Sequence, residues 1–191
     1  MRIISGTFKG RPIPFKNRQF GNARVTPDFL KEAAFNSMGP NLSGLRVLDP
    51  FSGSGQIGLE AVSRGALVWM NERDKKRHRF IQMMVSDWHL TDQVSLTNQD
   101  WRKLISNLTL DGSDLFDIVY VDPPSGAVSA EGVPESQECL KRISELGLVG
   151  RGCTAYVQHS HRIELPANIG DFGLTRSRRY GNSLLSKFHT S

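Results

Sequence analysis

An acidic residue followed by two prolines ends an apolar segment in the second half of the chain. The segment FDIVYVDPPSGA (116–127) opens with mostly apolar residues, which predicts a buried strand. Because proline cannot donate to a sheet ladder, the strand is expected to end at Asp122, with its carboxylate placed to contact a ligand. The Asp122 carboxylate and the Pro123 carbonyl could accept hydrogen bonds from the two hydrogens of an exocyclic amine on a nucleobase. Pro124 would help to keep these acceptors in place. A strand that is simply stopped by proline is the alternative interpretation.

A glycine-rich segment follows an earlier apolar run. In LDPFSGSGQIGLEA (48–61), Gly53, Gly55 and Gly58 match the pattern G-x-G-x-x-G, which allows a tight turn and a close approach of the backbone to a ligand. A plain glycine-rich turn would show the same pattern. Asp49 precedes the glycines where a dinucleotide-binding fold would hold a pyrophosphate, and a carboxylate repels phosphate but suits an ammonium group. The segment therefore favours S-adenosylmethionine over NAD as the ligand.

Two further predicted strands also end in acidic residues. Glu72 ends one of them and could accept hydrogen bonds from both hydroxyls of a ribose. Asp74 fits better as the residue that caps the following helix. Asp100 ends the other strand and could accept a hydrogen bond from an adenine amino group, with Trp101 against the ring, although aspartate is also a common helix cap. These strand ends are where a ligand is expected.

The elements that would position these residues alternate between strands and helices. Such alternation predicts an α/β fold with a parallel sheet and helices on both faces, in which ligands bind at the carboxyl ends of the strands. The predicted strands cover 45–51, 66–72, 93–99, 116–122 and 153–159, with two shorter ones near 175–180 and 184–188; the predicted helices cover 57–64, a long basic stretch to about 89, 101–108 and 134–146.

The chain before these elements has a different character. Residues 1–15 are predicted to form a small hairpin or an edge strand, with glycines and prolines as punctuation. A helix is then predicted to begin with Thr26 as its N-cap and Pro27 in its first helical position. We therefore divide the chain into a basic extension, residues 1–25, and a main domain, residues 26–191.

Basic residues are concentrated in that first part of the chain. Seven basic and two acidic residues precede residue 36, although Lys+Arg exceed Asp+Glu only by 24 to 19 in the whole chain. A cationic segment fits a polyanionic partner, most simply nucleic acid, and it fits a solvated surface equally well. The same two interpretations apply to RSRRY (176–180).

Length and composition exclude several classes of protein. The 191 residues are enough for one domain with a small appendage. With no signal peptide and no run of 18 apolar residues, the chain is expected to be cytoplasmic, with reduced cysteines and no membrane partner. Cys139 and Cys153 lack the spacing of metal ligands, and His159 and His161 are predicted to be surface residues. No metal site is predicted.

These features resemble a known enzyme family. The segments MRIISGTFKGRPI, RVTPDFLKEAAFN, VLDPFSGSGQIGLEAVSRGA, VDPP and RRYGNSLLSKF, in this order, are similar to the RsmD family of bacterial 16S ribosomal RNA guanine-N2 methyltransferases. The resemblance runs from Met1 to about Phe188. It implies a Rossmann-like class I methyltransferase fold with a seven-stranded, mostly parallel sheet, S-adenosyl-L-methionine as cofactor, and 16S ribosomal RNA or the small ribosomal subunit as partner. A monomer is expected.

The resemblance also assigns roles to residues of this chain. It places the cofactor at Asp49, Phe51, Ser52, Gly53, Gly55, Glu72, Asp100 and Trp101. It places the target amine at Asp122, Pro123, Pro124 and Ser125. It places RNA contacts at Lys9, Arg11, Arg24 and Thr26.

One of these positions departs from the family pattern. Ser125 stands where the family has Tyr or Phe, a ring that would stack on the target base, and such stacking contributes roughly 1–3 kcal/mol per base. Phe51 or Tyr180 could partly substitute for it. Ser125 therefore leaves open a weakly active or non-catalytic RNA-binding relative. The Asp-Pro-Pro motif alone also leaves open an enzyme that methylates the N6 amine of adenine, which presents two hydrogens to the same acceptors.

Overall fold

A computed structural model describes residues 1–21, 26–108 and 114–191. Helices and strands alternate along most of these residues, as the sequence predicts. The helices are α1 Asp28–Met38, α2 Gln56–Ser63, α3 Lys75–Asp87, α4 Trp101–Asn107 and α5 Glu135–Glu145, preceded by a 3-10 turn at Asn17–Phe20. The strands are β1 Arg46–Asp49, β2 Leu67–Asn71, β3 Val94–Thr97, β4 Phe116–Val121, β5 Val149–Ser160, β6 Asn168–Ile169, β7 Phe172–Tyr180 and β8 Ser183–Thr190.

The chain divides into two compact units, Met1–Trp101 and Arg102–Ser191. In the first unit the strands are parallel and run in the order β3-β2-β1. Every residue of α2 is buried, and β1 is buried after its first residue. Parallel strands of this kind are covered on both faces, which is why β1 shows a continuous apolar run in the sequence rather than alternation.

In the second unit the strands run in the order β4-β5-β8-β7-β6. β4 and β5 are parallel, whereas β5, β8, β7 and β6 pair antiparallel. The sheet is therefore mixed. Val119 and Val121 of β4 and Val157 of β5 have no accessible surface and form part of the core of this unit.

The prediction of seven strands is wrong by one, because the described residues form eight. The additional strand, β6, has two residues and pairs with the start of β7 around Gly170. Such a short strand leaves no alternation to recognise. β5 also begins at Val149 rather than at 153, since Gly150 and Gly152 lie within it and glycine is a poor strand former.

The predicted start of α1 is corrected in the same way. The helix begins at Asp28, and no side chain caps it. Pro27 occupies the cap position, where its carbonyl accepts the backbone N–H groups of Leu30 and Lys31. Thr26 is not the N-cap, and its carbonyl instead accepts a hydrogen bond from Gln56 Nε2 at 2.7 Å.

The N-terminal segment forms the predicted hairpin and is fastened to α2. Arg2 and Pro12 form an antiparallel bridge. The buried Glu60 carboxylate of α2 accepts the backbone N–H groups of Ile4 and Ser5 at 2.7 and 3.1 Å, and it also accepts two hydrogen bonds from Arg64. Charged hydrogen bonds of this kind are stronger than neutral ones, so the hairpin is held on the helix.

Candidate functional site

The loop that follows β1 is closed by short hydrogen bonds. Asp49 is the last residue of β1 and is buried. Ser52 Oγ donates to the Asp49 carbonyl at 3.0 Å, and Gly55 N donates to the Ser52 carbonyl at 2.7 Å. These two hydrogen bonds fix the loop directly before α2, which begins at Gln56.

The glycines of this loop serve different purposes. Gly55 has φ 78° at the N-cap position of α2, a conformation that favours glycine. A Cβ at Gly58 would lie only 2.5 Å from the sulfur of Met70 on β2, so glycine allows the helix to approach the strand. A Cβ at Gly53 would meet nothing nearer than the Phe51 carbonyl oxygen at 3.9 Å. Gly53 therefore leaves space beside the loop.

Asn71, at the end of β2, joins three strand ends, and sequence reasoning missed it. Its Nδ2 donates to the carbonyls of Pro50 and Gln99 at 3.1 and 3.0 Å. Its Oδ1 accepts hydrogen bonds from Thr97 Oγ1 at 2.8 Å and from Gln99 N at 3.2 Å. The only signal in the sequence is a polar residue at the end of an apolar strand, directly before Glu72.

Glu72 lies where the sequence placed it, and it also shapes the loop. Its two carboxylate oxygens accept the backbone N–H of Gly53 at 2.8 Å and that of Asp74 at 2.7 Å. Burial raises the pKa of Glu72, although these hydrogen bonds and Arg77 act in the opposite direction. Asp74 caps α3 as expected, because its carboxylate accepts the N–H groups of Lys76 and Arg77.

Two of the predicted cofactor residues, Phe51 and Trp101, are in contact at the end of β3. Trp101 is buried, and its ring lies 5.9 Å from the ring of Phe51 at an angle of 51°. Asp100 is partly exposed, and its carboxylate lies 3.9 Å from the guanidinium of Arg73. Phe51 thus packs on Trp101.

The residues predicted to hold the target amine form a turn at the end of β4. Asp122 directly follows the last residue of the buried strand and is partly exposed. The N–H of Ala127 donates to the Pro124 carbonyl at 2.9 Å, and Gly126 has φ 76° within this turn. Ser125 is exposed on it.

A cleft lies against the Asp122–Ala127 turn. It is small, with room for about one water molecule, and its lining residues include Pro123, Pro124, Gln158, His159 and Ser160.

His159 corrects a prediction, because it is buried rather than on the surface. Its Nε2 lies 2.8 Å from Ser186 Oγ, which lies 2.9 Å from Ser177 Oγ. Burial lowers the pKa of His159. This buried imidazole is one of the groups that line the cleft.

The residues predicted to contact RNA precede these loops in the sequence and differ in their exposure. Lys9 and Arg11 are exposed on the N-terminal hairpin, and the Arg11 guanidinium lies 4.5 Å above the ring of Trp88. Thr26 is half-buried. Arg24 lies outside the described residues.

Neither thiol of the chain is exposed. Cys139 and Cys153 are buried, and burial raises the pKa of Cys153 to about 12. Within residues 1–21, 26–108 and 114–191, no cluster of three or more His, Cys, Asp or Glu side chains could hold a metal ion. Over the same ranges, no helix is long and apolar enough to cross a bilayer.

Comparisons with known proteins give consistent results. A family model described as Conserved hypothetical protein 95 matches residues 1–189. A Bacillus subtilis protein named as a candidate rRNA methyltransferase, YlbH, is 30% identical over 183 residues, which are 95% of this chain and 94% of that protein. Ribosomal RNA small subunit methyltransferase D of Escherichia coli K12 is 29% identical over 186 residues, which are 95% of this chain and 85% of that protein.

A solved structure tests the fold. An Escherichia coli protein described as a candidate methyltransferase, yhhF, matches with a TM-score of 0.80 at 23% identity, over 100% of this chain and 98% of that one. The likeness confirms the predicted fold, that of a class I methyltransferase, with the strand count corrected to eight.

Proposed function

Because the chain belongs to the RsmD family, we propose that it transfers a methyl group from S-adenosylmethionine to the N2 amine of a guanine in 16S ribosomal RNA. The relatives named above support ribosomal RNA as the substrate class. The local structure at Asp122 supports an exocyclic amine as the acceptor of the methyl group.

The position of Asp122 is the observation that carries this proposal. Five of the six residues of β4 are buried, and the chain then presents a partly exposed carboxylate followed by two prolines and a closed turn. The lone pair of an exocyclic amine is delocalised into the base. The Asp122 carboxylate and the Pro123 carbonyl would accept hydrogen bonds from its two N–H groups, which turns the nitrogen toward tetrahedral geometry and makes its lone pair available.

The loops of the first unit fit S-adenosylmethionine, which supplies an electrophilic methyl group when bound. Asp49 would face the ammonium group, and Glu72 would accept from the ribose hydroxyls. Each oxygen of Glu72 accepts one backbone N–H and can accept further hydrogen bonds. The open space beside Gly53 allows a ligand to approach the backbone. Asp100 and the packed rings of Phe51 and Trp101 would hold the adenine.

The remaining assignments concern RNA and the proton. Lys9 and Arg11 on the hairpin are exposed cations that would bind phosphates of the RNA. As the amine nitrogen forms its bond to the methyl carbon, the carbon–sulfur bond of the sulfonium would break and the thioether would leave. The amine would then give one proton to water, and Asp122 would accept a hydrogen bond from the N–H group that loses it.

The proposal is tested by methyl transfer and nucleoside analysis. Purified protein and methyl-labelled S-adenosylmethionine are incubated with small ribosomal subunits, or with their RNA, from cells that lack this activity. The digested nucleosides are then separated by mass spectrometry. We expect labelled N2-methylguanosine. Label in N6-methyladenosine would overturn the guanine assignment, and no label in either RNA preparation would overturn the methyltransferase assignment.

A non-catalytic RNA-binding protein is the second candidate function, and one observation favours it. Ser125 is exposed on the turn beside Asp122 and provides no ring for a base to stack on. If the chain binds subunit RNA and S-adenosylmethionine but transfers no label under any condition, this second function is the correct one.

A further inference from the structure

One face of the antiparallel strands in the second unit carries three basic side chains. Arg176 and Arg178 lie two residues apart on β7 and are exposed, so they share a face of the sheet. Lys187 on β8 is paired directly with Arg176 and lies on the same face. We call these three residues the basic face. We propose that the basic face binds the phosphate backbone of RNA beside the base that the protein methylates, an inference that rests on the proposed function.

The two arginines of the basic face have like-charged surroundings and no carboxylate partner among the described residues. Arg176 and Lys187 are like charges at directly paired positions, which destabilises a sheet. Among the described residues, neither Arg176 nor Arg178 forms an ion pair with a carboxylate. The ammonium of Lys187 lies 5.7 Å above the ring of Tyr156, a contact that positions this charge on the face. A polyanion lying across this face would offset the repulsion.

Protection of a sheet edge is another use for such charges, and two features argue against it. Beyond its first two residues, β7 pairs only with β8 among the described strands, and exposed edges are often protected by charged residues, especially lysine. However, Lys187 lies on β8, which is paired on both sides and needs no protection. The basic residues of β7 are arginines, whose planar guanidinium groups can each donate two hydrogen bonds to a phosphate.

Strand register places the basic face near the cleft beside the Asp122–Ala127 turn. Gln158 lines this cleft and is paired with Leu185 on β8, which is paired with Arg178 on β7. Two strand spacings of about 4.8 Å therefore separate the backbones of Gln158 and Arg178, about 10 Å in total. The side chain of Arg178 can thus reach a phosphate that flanks a base bound at the Asp122–Ala127 turn.

The experiment compares two double variants of the full chain. The first, Arg176→Gln with Arg178→Gln, removes both arginines of the basic face. The second, Lys103→Gln with Arg151→Gln, removes the same charge from exposed positions outside it. Binding of a fluorescent fragment of small-subunit RNA is measured by anisotropy at several salt concentrations, with circular dichroism to confirm folding.

We expect the basic-face variant to bind the RNA at least about tenfold more weakly near 0.1 M salt. Its slope of log K against log salt should be smaller by about 1.4–1.8, because each lost phosphate contact contributes about 0.7–0.9. The control variant should bind within about twofold of the wild type, since isolated distant charges are largely screened at this salt concentration.

Three results would overturn the inference. Equal weakening in both variants would mean that net charge alone is responsible. Unchanged RNA binding together with self-association of the basic-face variant would show that the arginines protect the edge. Unchanged RNA binding without self-association would show that they contact neither RNA nor another sheet. If instead the expected difference in binding is found while the wild type methylates no RNA, the proposed function fails and the basic face stands.

Discussion

The loop after β1 and the loop after β4 both follow buried strands, but they are built in opposite ways. The first loop, Asp49–Gly55, is joined by hydrogen bonds to the ends of β2 and β3 through Asn71 and Glu72. In the second loop, Asp122–Ala127, the N–H of Ala127 donates to the Pro124 carbonyl and the Ala127 carbonyl accepts from the N–H of Glu135, while Pro124, Ser125 and Gly126 are exposed.

This difference corresponds to the two ligands that we propose. A small cofactor is gripped by a preformed loop, because fixed donors and acceptors lower the cost of ordering on binding. A base that must leave its RNA stack needs an open entrance, and two prolines add rigidity to the loop there. The comparison predicts that substitutions in the first loop change stability and cofactor binding together. Substitutions in the second should change activity alone.

The largest effect is expected for Asp122→Ala. Loss of the carboxylate acceptor should lower kcat on the order of 10²–10³-fold, as for removal of one group that stabilises a transition state. The unfolding free energy and the affinity for S-adenosylmethionine should stay close to wild type, because Asp122 is partly exposed. Methyl transfer, calorimetry and thermal unfolding measure the three quantities.

Asp117→Ala is the matched control, since Asp117 is an exposed carboxylate on the same strand. It should retain full activity. If Asp122→Ala keeps wild-type kcat, or if Asp117→Ala loses as much, the assignment of the amine site to Asp122 is wrong.

Asn71→Ala should have the opposite profile. It removes four hydrogen bonds from a buried side chain and leaves polar groups at the ends of β1 and β3 without this partner. We expect a loss of about 3 kcal/mol of unfolding free energy, which lowers Tm by about 6–12 °C for a chain of this size. Cofactor affinity should fall with it.

Asn98→Ala provides the comparison for Asn71→Ala. Asn98 donates to the carbonyls of Glu72 and Arg73 but is exposed, so water can replace it and the loss should stay below about 1 kcal/mol. Equal losses in the two variants would show that the Asn71 network is not what fixes the first loop.

The sequence predicts the glycines of the first loop and the acidic residues at the strand ends, but it does not predict Asn71. Asp49, Glu72 and Asp100 each lie at the end of a predicted strand, so the pattern of that one strand identifies them without knowledge of the neighbouring strands. The role of Asn71 depends on Pro50 and Gln99, 21 and 28 residues away. Only the pairing of β2 with its neighbours brings these carbonyls to one amide.

His159 shows the same limit in the second unit. As one of two histidines at a strand end, it has the pattern of a surface residue. Its burial follows from β8, where Ser186 faces it from 27 residues away. Local pattern therefore predicts which polar residues end the strands, while the residues packed around them depend on long-range pairing that no local pattern contains.

Ser125→Tyr tests whether the open second loop is incomplete. Ser125 is exposed on the turn, so a larger side chain fits without displacing the core. A ring there would stack on the target base and contribute roughly 1–3 kcal/mol, which corresponds to an increase in kcat/KM of about tenfold to a hundredfold. Stability and cofactor affinity should not change.

Ser125→Leu is the control for Ser125→Tyr, because it adds apolar surface without a ring. An equal gain in both variants would indicate simple apolar contact rather than stacking. No gain in either variant would mean that another group already holds the base and that the second loop does not lack a stacking group.

The smallest effect is expected for Glu72→Gln, and it depends on pH. An amide presents only one acceptor oxygen to the N–H groups of Gly53 and Asp74, so cofactor affinity at neutral pH should fall by about tenfold, equivalent to about 1.4 kcal/mol. Burial raises the pKa of Glu72. Wild-type cofactor binding should therefore weaken on acidification at a higher pH than an ordinary glutamate would require, and the variant should lack this dependence.

The same raised pKa has the opposite consequence for stability. A carboxyl whose pKa is higher in the folded chain than in the unfolded chain favours folding most at low pH, and this contribution is lost as pH rises through the folded pKa. On acidification, the unfolding free energy of wild type should thus rise relative to that of Glu72→Gln, while wild-type cofactor binding weakens. Glu32→Gln, at an exposed position of α1, should show neither trend. If wild-type binding and stability change in the same direction with pH, Glu72 does not hold the cofactor as an ionised acceptor.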